Sequence, residues 1–161
     1  MKRKRSFRNA QAGFSLTELL IVVAIIGILA AVAVPKLLET LRTGRESAAI
    51  QSLRTIHNSQ ASFQAQKQRF ATLKELGETN QIDSTFANGT PVSGYIYQSG
   101  PEVTQDKYCV QATRQAASTA SRDFNVTEDG TVRFVESKSP NPIPHGEGTA
   151  LAAAGAATGA Q

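Results

Sequence analysis

One carboxylate, Glu18, lies inside an apolar run that covers residues 14–35. A carboxylate in hydrocarbon costs about 2.5–3.5 kcal/mol on translocon-derived scales, so a residue of this kind usually has a cation as its partner. Residues 1–13 precede the run and contain five basic side chains and no acid: Lys2, Arg3, Lys4, Arg5 and Arg8. The source of the cation for Glu18 is therefore the first chemical question that the sequence raises.

Cleavage of the peptide bond between Gly13 and Phe14 would supply that cation. The new α-amino group on Phe14 would have an unperturbed pKa of about 7.7–8.0 and would be mostly cationic at neutral pH. Phe14 and Glu18 stand at i and i+4, so the amine and the carboxylate would share one helix face, and a neighbouring copy could also donate the amine. Such a pair would favour the packing of subunits in one register.

Two other interpretations of the apolar run stay open at this point. The A-x-A sequence at residues 31–33 is typical of a secretory cleavage site, which would release a domain that begins at Val34. An acid fits poorly in the apolar part of such a signal. Alternatively, the run is a permanent anchor in which Ser15 and Glu18 form a capping box. That interpretation does not explain why the cap lies beneath a basic segment.

The basic residues before the run predict its orientation in a membrane. Positive charges stay on the cytoplasmic side, so the N-terminus is expected inside and everything after Pro35 outside. Residues 14–34 form 21 residues of helix, about 31 Å long, which is enough to cross a hydrocarbon core of about 30 Å. The precursor is predicted to be a single-pass, N-in protein of the inner (cytoplasmic) membrane.

The junction and the run together resemble the class III signal of type IV pilins and pseudopilins. The resemblance rests on Gly13-Phe14, on Glu18 and on the sequence LLIVVAIIGILAAVAVP that follows. It implies that a prepilin peptidase removes residues 1–13 and methylates the new amino group of Phe14. It also implies that Glu18 takes part in subunit assembly.

The same resemblance assigns a role to two residues that disfavour helix. Gly27 and Pro35 match the family's helix-breaking positions, between which members are thought to lose helical order inside the filament. The fold that the resemblance implies is the type IV pilin fold. The implied partners are other copies of the chain, prepilin peptidase, the inner-membrane assembly platform with its ATPase, and membrane lipid before assembly.

The predicted function is that of a structural subunit, polymerised into an extracellular type IV pilus that serves motility, adhesion or DNA uptake. The alternative is a pseudopilin of a type II secretion system, which shares this N-terminus. Major pseudopilins carry an acidic calcium loop near the C-terminus, and the Ala/Gly-rich end of this chain lacks one. No catalytic role, cofactor or metal is predicted.

Charge gives little support for nucleic-acid binding. The chain has 17 Lys+Arg against 13 Asp+Glu, but five of the basic residues lie in the leader, which leaves 12 against 13. A patch of Arg42, Arg45 and Arg54 could contact phosphate, although solvated charges on a helix are the preferred interpretation. Nucleic acid is thus a possible but not an indicated partner.

The chain after Pro35 is predicted to continue as an amphipathic helix. Ala49, Leu53, Ile56 and Phe63 recur at helical spacing among polar residues. One helix from about residue 14 to about residue 68 is expected, transmembrane in its first half and kinked near Pro35.

A small antiparallel β-sheet head is predicted after the helix. A short helical turn at residues 70–77, stopped by glycine, and a loop to Gly94 come first. Four strands are expected at residues 95–98, 107–112, 123–127 and 131–135, the last two joined by a hairpin at Gly130. The fold class is therefore α+β.

These patterns divide the chain into five predicted segments. They are the basic leader (1–13), the transmembrane or filament-core helix (14–35), its amphipathic second half (36–68), the globular head (69–139) and a mobile Pro/Gly/Ala tail (140–161). A fleeting helix is conceivable at residues 151–154, and nothing in the tail is expected to reach a core.

Other residues with chemical potential are predicted to be structural. His57 and His145 match no metal or triad spacing, and Asp129 is expected in a turn instead of a calcium site. Cys109, the only cysteine, is expected buried on a strand, so the end of the head must be held by packing without the disulfide of many Gram-negative pilins. Two glycosylation acceptor patterns begin at Asn88 and Asn125, a weak signal.

Overall fold

A computed structural model describes residues 14–151 and divides into two units between Glu39 and Thr40. Three helices and five strands are present in this part of the chain. They are α1 Leu16–Lys67, α2 Leu73–Glu78, α3 Ser84–Ala87, β1 Tyr95–Ser99, β2 Cys109–Arg114, β3 Arg122–Thr127, β4 Val132–Glu136 and β5 Thr149–Ala150. The α+β fold class is confirmed.

The first unit contains the N-terminal part of α1. Helix begins at Leu16 and includes both Gly27 and Pro35 as helical residues. Every described residue of this unit, 14–39, is exposed. The predicted long helix is confirmed with ends within two residues of the expected ones, whereas the kink near Pro35 stays a prediction.

The second unit has one hydrophobic core between α1 and the sheet. The predicted apolar stripe of α1, namely Ala49, Leu53, Ile56 and Phe63, is buried. It packs against one face of the sheet, to which the strands contribute Tyr95, Tyr97, Val110, Ala112, Phe124, Val126 and Val132. Because successive side chains of a strand point to opposite faces of the sheet, one set of them packs against α1.

The sheet is an antiparallel meander in which each strand pairs with the next in sequence, in the order β1-β2-β3-β4-β5. Val126 pairs with Val132 across the β3–β4 hairpin. Gly130 in its turn has φ +71, a left-handed conformation that favours glycine. The predicted hairpin is confirmed.

Strand β2 is displaced from its predicted position. Residues 107–112 were expected, but the strand covers Cys109–Arg114. The Lys107 carbonyl instead accepts the Thr104 N–H, and the Lys107 N–H donates to the Thr104 hydroxyl, which forms a turn before the strand. The far end extends because Arg114 still pairs with Tyr95 of β1. Strand β3 starts one residue earlier than expected, while β1 and β4 each end one residue later.

The connection between α1 and β1 differs from the prediction at Gly77 and in the following loop. Gly77 lies inside α2, which ends at Glu78. A Cβ on Gly77 would lie 2.6 Å from the Cβ of Ala87, so the glycine permits close packing of α2 on α3. The segment predicted as loop contains α3, whose start is capped by Asp83 Oδ1 accepting the Thr85 N–H at 2.8 Å.

The prediction of a mobile tail without core contacts is wrong for its first part. Ile143 is 3% exposed, and residues 149–150 form β5 on the edge of β4. Gln111 Nε2 donates to the Ile143 carbonyl at 2.8 Å, and Asn125 Nδ2 donates to the Pro144 carbonyl at 2.9 Å. The segment is therefore held mainly by polar groups, which a hydrophobic pattern does not reveal. The conceivable helix at 151–154 lies outside the described residues except for Leu151.

Gln60 joins α1 to the chain that leaves it. Its side chain is fully buried. Its Nε2 donates to the Ala71 carbonyl at 2.5 Å, and its Oε1 accepts the Ala71 N–H at 3.0 Å. The amide thus satisfies both backbone groups of a residue that has no strand partner at that point.

Replacement of Gln60 by methionine should destabilise the head. Methionine conserves the volume but leaves both backbone groups of Ala71 buried and unsatisfied, so we expect a loss of at least about 2 kcal/mol. Urea denaturation of the detergent-solubilised protein measures it. The control is Gln51→Met on the exposed side of α1. Equal stability of the two variants would contradict the assigned role of Gln60.

Candidate functional site

The most distinctive feature of the described chain is the uncovered apolar surface of α1. We define the apolar surface as the large apolar side chains from Phe14 to Val34. They are exposed from 84% at Phe14 to 47% at Val22. By length and composition α1 can cross a membrane, and its most apolar window has no buried residue. Apolar area of this extent marks a surface that contacts lipid or another protein.

Glu18 lies in the first turn of α1 and caps it. Glu18 Oε2 accepts the N–H of Ser15 at 3.2 Å, and Ser15 Oγ accepts the N–H of Thr17 at 3.3 Å. The Ser15 carbonyl accepts the N–H of Leu19 at 3.2 Å, which makes Ser15 the cap residue. This arrangement is a capping box with one difference. In the usual box the serine hydroxyl would accept the N–H of Glu18, whereas here it accepts the N–H of Thr17. The geometry that the anchor interpretation invoked is thus present.

Phe14 and Glu18 do not stand at i and i+4 of one helix in the uncleaved chain. Because α1 begins at Leu16, Phe14 precedes the helix and does not share a helical face with Glu18. The partner of Glu18 here is the Ser15 amide. Gly13 lies outside the described residues. Pairing between a Phe14 amine and Glu18 remains a prediction for the cleaved protein.

Gly27 and Pro35 do not break α1 in this structure. A Cβ on Gly27 would meet no atom within 4 Å among the described residues. Nothing in the single chain therefore requires glycine there. The helix break that the resemblance assigns to these residues concerns the filament and stays a prediction.

His57 lies beneath the β3–β4 hairpin. Its Nδ1 is 2.5 Å from Tyr108 Oη, and a Cβ on Gly130 would lie 2.8 Å from its Nε2. Burial, reinforced by Glu128 and Asp129, raises the pKa of Tyr108. The phenol therefore stays protonated and can donate to the imidazole. This arrangement is a packed contact between helix and hairpin.

Cys109 and His145 lie on the other face of the sheet. Burial, with a smaller contribution from Glu128, raises the pKa of Cys109 to about 11, so its thiol is protonated at neutral pH. It is 2% exposed in β2, as the sequence predicted. His145 Nε2 lies 2.8 Å from Glu128 Oε2. Burial pushes the pKa of Glu128 up, but the bonds from His145 and from the Tyr108 N–H outweigh it and lower the pKa.

Asp129 is a turn residue, as predicted. Its Oδ1 accepts from the Thr127 hydroxyl at 2.8 Å and the Thr131 N–H at 2.9 Å, and its Oδ2 pairs with Arg133 Nη2 at 2.6 Å. Both carboxylate oxygens are thus engaged by the hairpin itself. Within residues 14–151 no group of three His, Cys, Asp or Glu could hold a metal ion.

The two glycosylation patterns differ in access. Asn88 is exposed at the C-terminal cap of α3. Asn125 is fully buried, and its amide donates to backbone carbonyls, which leaves no access for a glycosyl donor. Only the first pattern is therefore open to a transferase.

Two of the three α1 arginines that could have formed a phosphate patch donate hydrogen bonds within the head. Arg42 Nε and Arg45 Nη1 donate to the carbonyls of Ser118 and Thr119, both at 3.3 Å. These bonds attach the β2–β3 loop to α1. Arg54 is exposed. The patch therefore serves a structural contact, and nucleic acid remains an unindicated partner.

Sequence reasoning missed three polar residues that organise the head. Gln111 and Asn125 hold the C-terminal segment, and Arg114 Nη2 donates to Ser137 O at 2.6 Å and to Ser137 Oγ at 3.0 Å. Arg114 and Asp123, each 1% exposed in the side chain, are 3.7 Å apart at their closest charged atoms. Gln111 and Asn125 lie in strands that were predicted, whereas Arg114 lies two residues beyond the predicted end of β2.

Comparison with known proteins agrees with the geometry of the N-terminal helix. Residues 8–34 match the family model described as a prokaryotic N-terminal methylation motif. The chain is 41% identical over 76 residues to the "Type IV major pilin protein PilA" of Myxococcus xanthus (strain DK1622). The chain is thus similar to a type IV pilin in its methylation motif and over about half of its length. The alignment covers 47% of this chain and 34% of that relative, so the chain spans about a third of the relative's length.

The β3–β4 hairpin offers a test through pH. The hydrogen bond from Arg133 lowers the pKa of Asp129 well below its usual range, assisted by Thr131 and Thr127 and opposed by burial. A carboxylate with a depressed folded pKa stabilises the folded state above its unfolded pKa of about 3.9 and loses that contribution as the pH falls. Asp129→Asn should therefore reduce stability at about pH 6 and have a smaller effect at about pH 3.

Urea denaturation at the two pH values measures this difference. Asp106→Asn, an exposed loop aspartate, is the control. If the wild type exceeded Asp129→Asn in stability by the same amount at both pH values, the Asp129–Arg133 pair would not be the source of that extra stability.

Proposed function

We propose that this protein is a structural subunit of a type IV pilus, which prepilin peptidase processes and which polymerises into a helical surface filament. The observation that supports this proposal most strongly is the apolar surface of α1, which is exposed all round the helix. Before assembly, lipid of the inner membrane would cover it. In the filament, the same surface of neighbouring copies would replace the lipid.

The energies favour permanent coverage of this surface. Burial of one Val, Leu, Ile or Phe side chain contributes about 1.5–3 kcal/mol. Two or three such side chains offset the cost of about 2.5–3.5 kcal/mol for one carboxylate in hydrocarbon. The helix can therefore carry Glu18 into an apolar environment. The role of the acid is then to fix the axial register of the helices, because one carboxylate does not prevent their burial.

Cleavage between Gly13 and Phe14 would give Glu18 a new partner. In the uncleaved chain its carboxylate accepts the Ser15 N–H, a neutral donor. A methylated ammonium on Phe14 of the same or a neighbouring copy would instead form a charge-assisted bond, roughly twice as strong as a neutral one. We infer that processing thereby couples removal of the leader to correct axial packing.

Small residues on the apolar surface support close packing of helices. Ala24, Gly27, Ala30, Ala31 and Ala33 lie between the large apolar side chains. Backbones approach closely where such residues meet. Open space around Gly27 in the single chain fits a role in contact with a neighbour. A head-to-tail contact of this kind does not close on itself and so propagates into a fibre.

The remaining parts of the proposal concern location and partners. The basic leader favours an N-in precursor in the inner membrane, followed by extraction into the extracellular pilus. The inner-membrane assembly platform and its ATPase would drive extraction. The fibre would serve motility, adhesion or DNA uptake, and no enzymatic activity is proposed.

A pseudopilin of a type II secretion system is the second candidate, because the methylation motif over residues 8–34 fits both. A pilus would extend from the cell surface, whereas a pseudopilus would remain in the cell envelope. Immunogold labelling of the head on intact cells separates the two. Labelled surface fibres support the pilus.

Mass spectrometry of the purified mature protein tests the processing step. We expect an N-terminus at Phe14 that carries one methyl group. An N-terminus at Val34 would instead show a conventional secretory signal, and an intact Met1 would show a permanent anchor. Either of these results would contradict the proposal.

Two substitutions of Glu18 separate its possible roles. Glu18→Gln retains an oxygen that can accept the Ser15 N–H but removes the charge, and Glu18→Ala removes both. If charge pairing directs assembly, both variants should insert and be processed while fibre number falls at least about tenfold, the equivalent of about 1.4 kcal/mol. Fibres are counted by electron microscopy, with subunit levels from immunoblots.

Glu39→Ala, at an exposed glutamate on the same helix, is the control and should assemble normally. Normal fibres from Glu18→Gln together with few from Glu18→Ala would show that capping, not charge, is required. That outcome would refute the pairing.

A further inference from the structure

The C-terminal part of the head forms a strap across one face of the sheet. We define the strap as residues 140–148. Six polar contacts hold it. They are Asp123 Oδ2 with the Asn141 N–H (3.0 Å), Gln111 Nε2 with the Ile143 carbonyl (2.8 Å), Asn125 Nδ2 with the carbonyls of Ile143 (3.5 Å), Pro144 (2.9 Å) and Glu147 (3.3 Å), and Glu128 Oε2 with His145 Nε2 (2.8 Å).

The strap is attached at both ends. Before it, Ser137 receives hydrogen bonds from the buried Arg114. After it, β5 pairs with β4, where Phe134 faces Thr149, and Leu151 packs on the core. The middle of the strap can therefore move away from the sheet while the residues before and after it stay attached to the head.

Little apolar area holds the strap in place. Ile143 is its one buried residue, and all the others are exposed. Segments with few buried apolar contacts open locally at a lower free energy than the whole fold. The strands beneath, in contrast, pack their opposite face against α1. The structure therefore combines a weakly held strap with a strongly held sheet.

Cys109 lies under this strap. A cavity of about 450 Å³ separates the two, and its lining includes Cys109, Gln111, Pro142, Pro144 and His145. Because Cys109 is 2% exposed and the β1–β2 loop also lines the cavity at Pro101 and Glu102, a reagent in solution reaches its sulfur only if the strap, that loop or the sheet moves.

We propose that the strap opens as a unit while the rest of the head stays folded, and that this opening exposes Cys109 and the polar face of β2 and β3. The strap closes the C-terminal end of the head, as a disulfide-closed loop would. It is held by hydrogen bonds between side chains and backbone, which can be broken and reformed. Opening is a conformational step of the folded subunit. It does not depend on the proposed filament function.

Thiol exchange on the full-length protein in detergent tests this proposal. The probe is the aromatic disulfide 5,5′-dithiobis(2-nitrobenzoate). The Cys109 thiolate attacks one of its sulfurs, a protein–thionitrobenzoate disulfide forms, and the other thionitrobenzoate leaves as a coloured thiolate. The proton of the thiol passes to buffer, and each thionitrobenzoate released reports one Cys109 thiol that has reacted.

Gln111→Met removes the bond to the Ile143 carbonyl and retains the side-chain volume. We expect exchange to accelerate about 10- to 100-fold, which corresponds to the loss of one buried hydrogen bond. Gln98→Met is the matched control, because Gln98 pairs with Gln111 across β1 and β2 but is exposed. It should exchange at the wild-type rate. Equal rates for Gln111→Met and Gln98→Met would overturn the proposal.

Ile143→Ala provides a second variant that leaves the sheet unchanged. It should also accelerate exchange about tenfold or more, while hydrogen exchange of the β2 and β3 amides stays at the wild-type level. If the amides of both strands lose protection in parallel with the thiol in either variant, exposure occurs by unfolding of the whole head. The strap would then not open separately.

Discussion

The structure depends on one constraint, the need to cover a helix that is apolar around its full circumference. An amphipathic helix hides its apolar side on its own domain, as the second part of α1 does with Leu53 and Ile56. The first part has no such face, since all of residues 14–34 are exposed. Coverage must come from outside the chain, and in the proposed function it comes first from lipid and then from equivalent helices. A protein of this design is incomplete as a monomer, which is consistent with its similarity to a type IV major pilin.

The head is a small domain with one hydrophobic core. Its apolar residues lie on one face of the sheet, against α1. On the other side, Gln111 and Asn125 donate to an extended segment, and a similar role falls to Gln60 where the chain leaves α1. Buried amide side chains thus complete the backbone hydrogen bonding that regular strands would otherwise provide. Such contacts are specific in geometry and modest in energy, so they can close the head and still permit local opening.

Much of this architecture could be predicted from the sequence. Helical spacing of Ala49, Leu53, Ile56 and Phe63 gave the buried stripe of α1, and the turn at Gly130 gave the β3–β4 hairpin. The strap could not be predicted, because its proline and glycine content is typical of a mobile tail and its anchors are polar side chains distant in sequence. The sequence singled out Glu18, since an acid in an apolar run demands a partner, and its pairing with Phe14 stays a prediction. Its bond to the Ser15 amide is the one that the capping-box interpretation predicted.

The central claim is that the apolar surface of α1 forms the interior of a fibre in which Glu18 pairs with a Phe14 ammonium. A cryo-electron microscopy reconstruction of the assembled fibre at side-chain resolution tests it most directly. The account predicts that residues 14–34 of neighbouring subunits pack together along the fibre axis, with each Glu18 carboxylate within about 4 Å of a Phe14 nitrogen. Fibres whose subunits contact one another through their heads alone, with these helices absent from the interior, would contradict it.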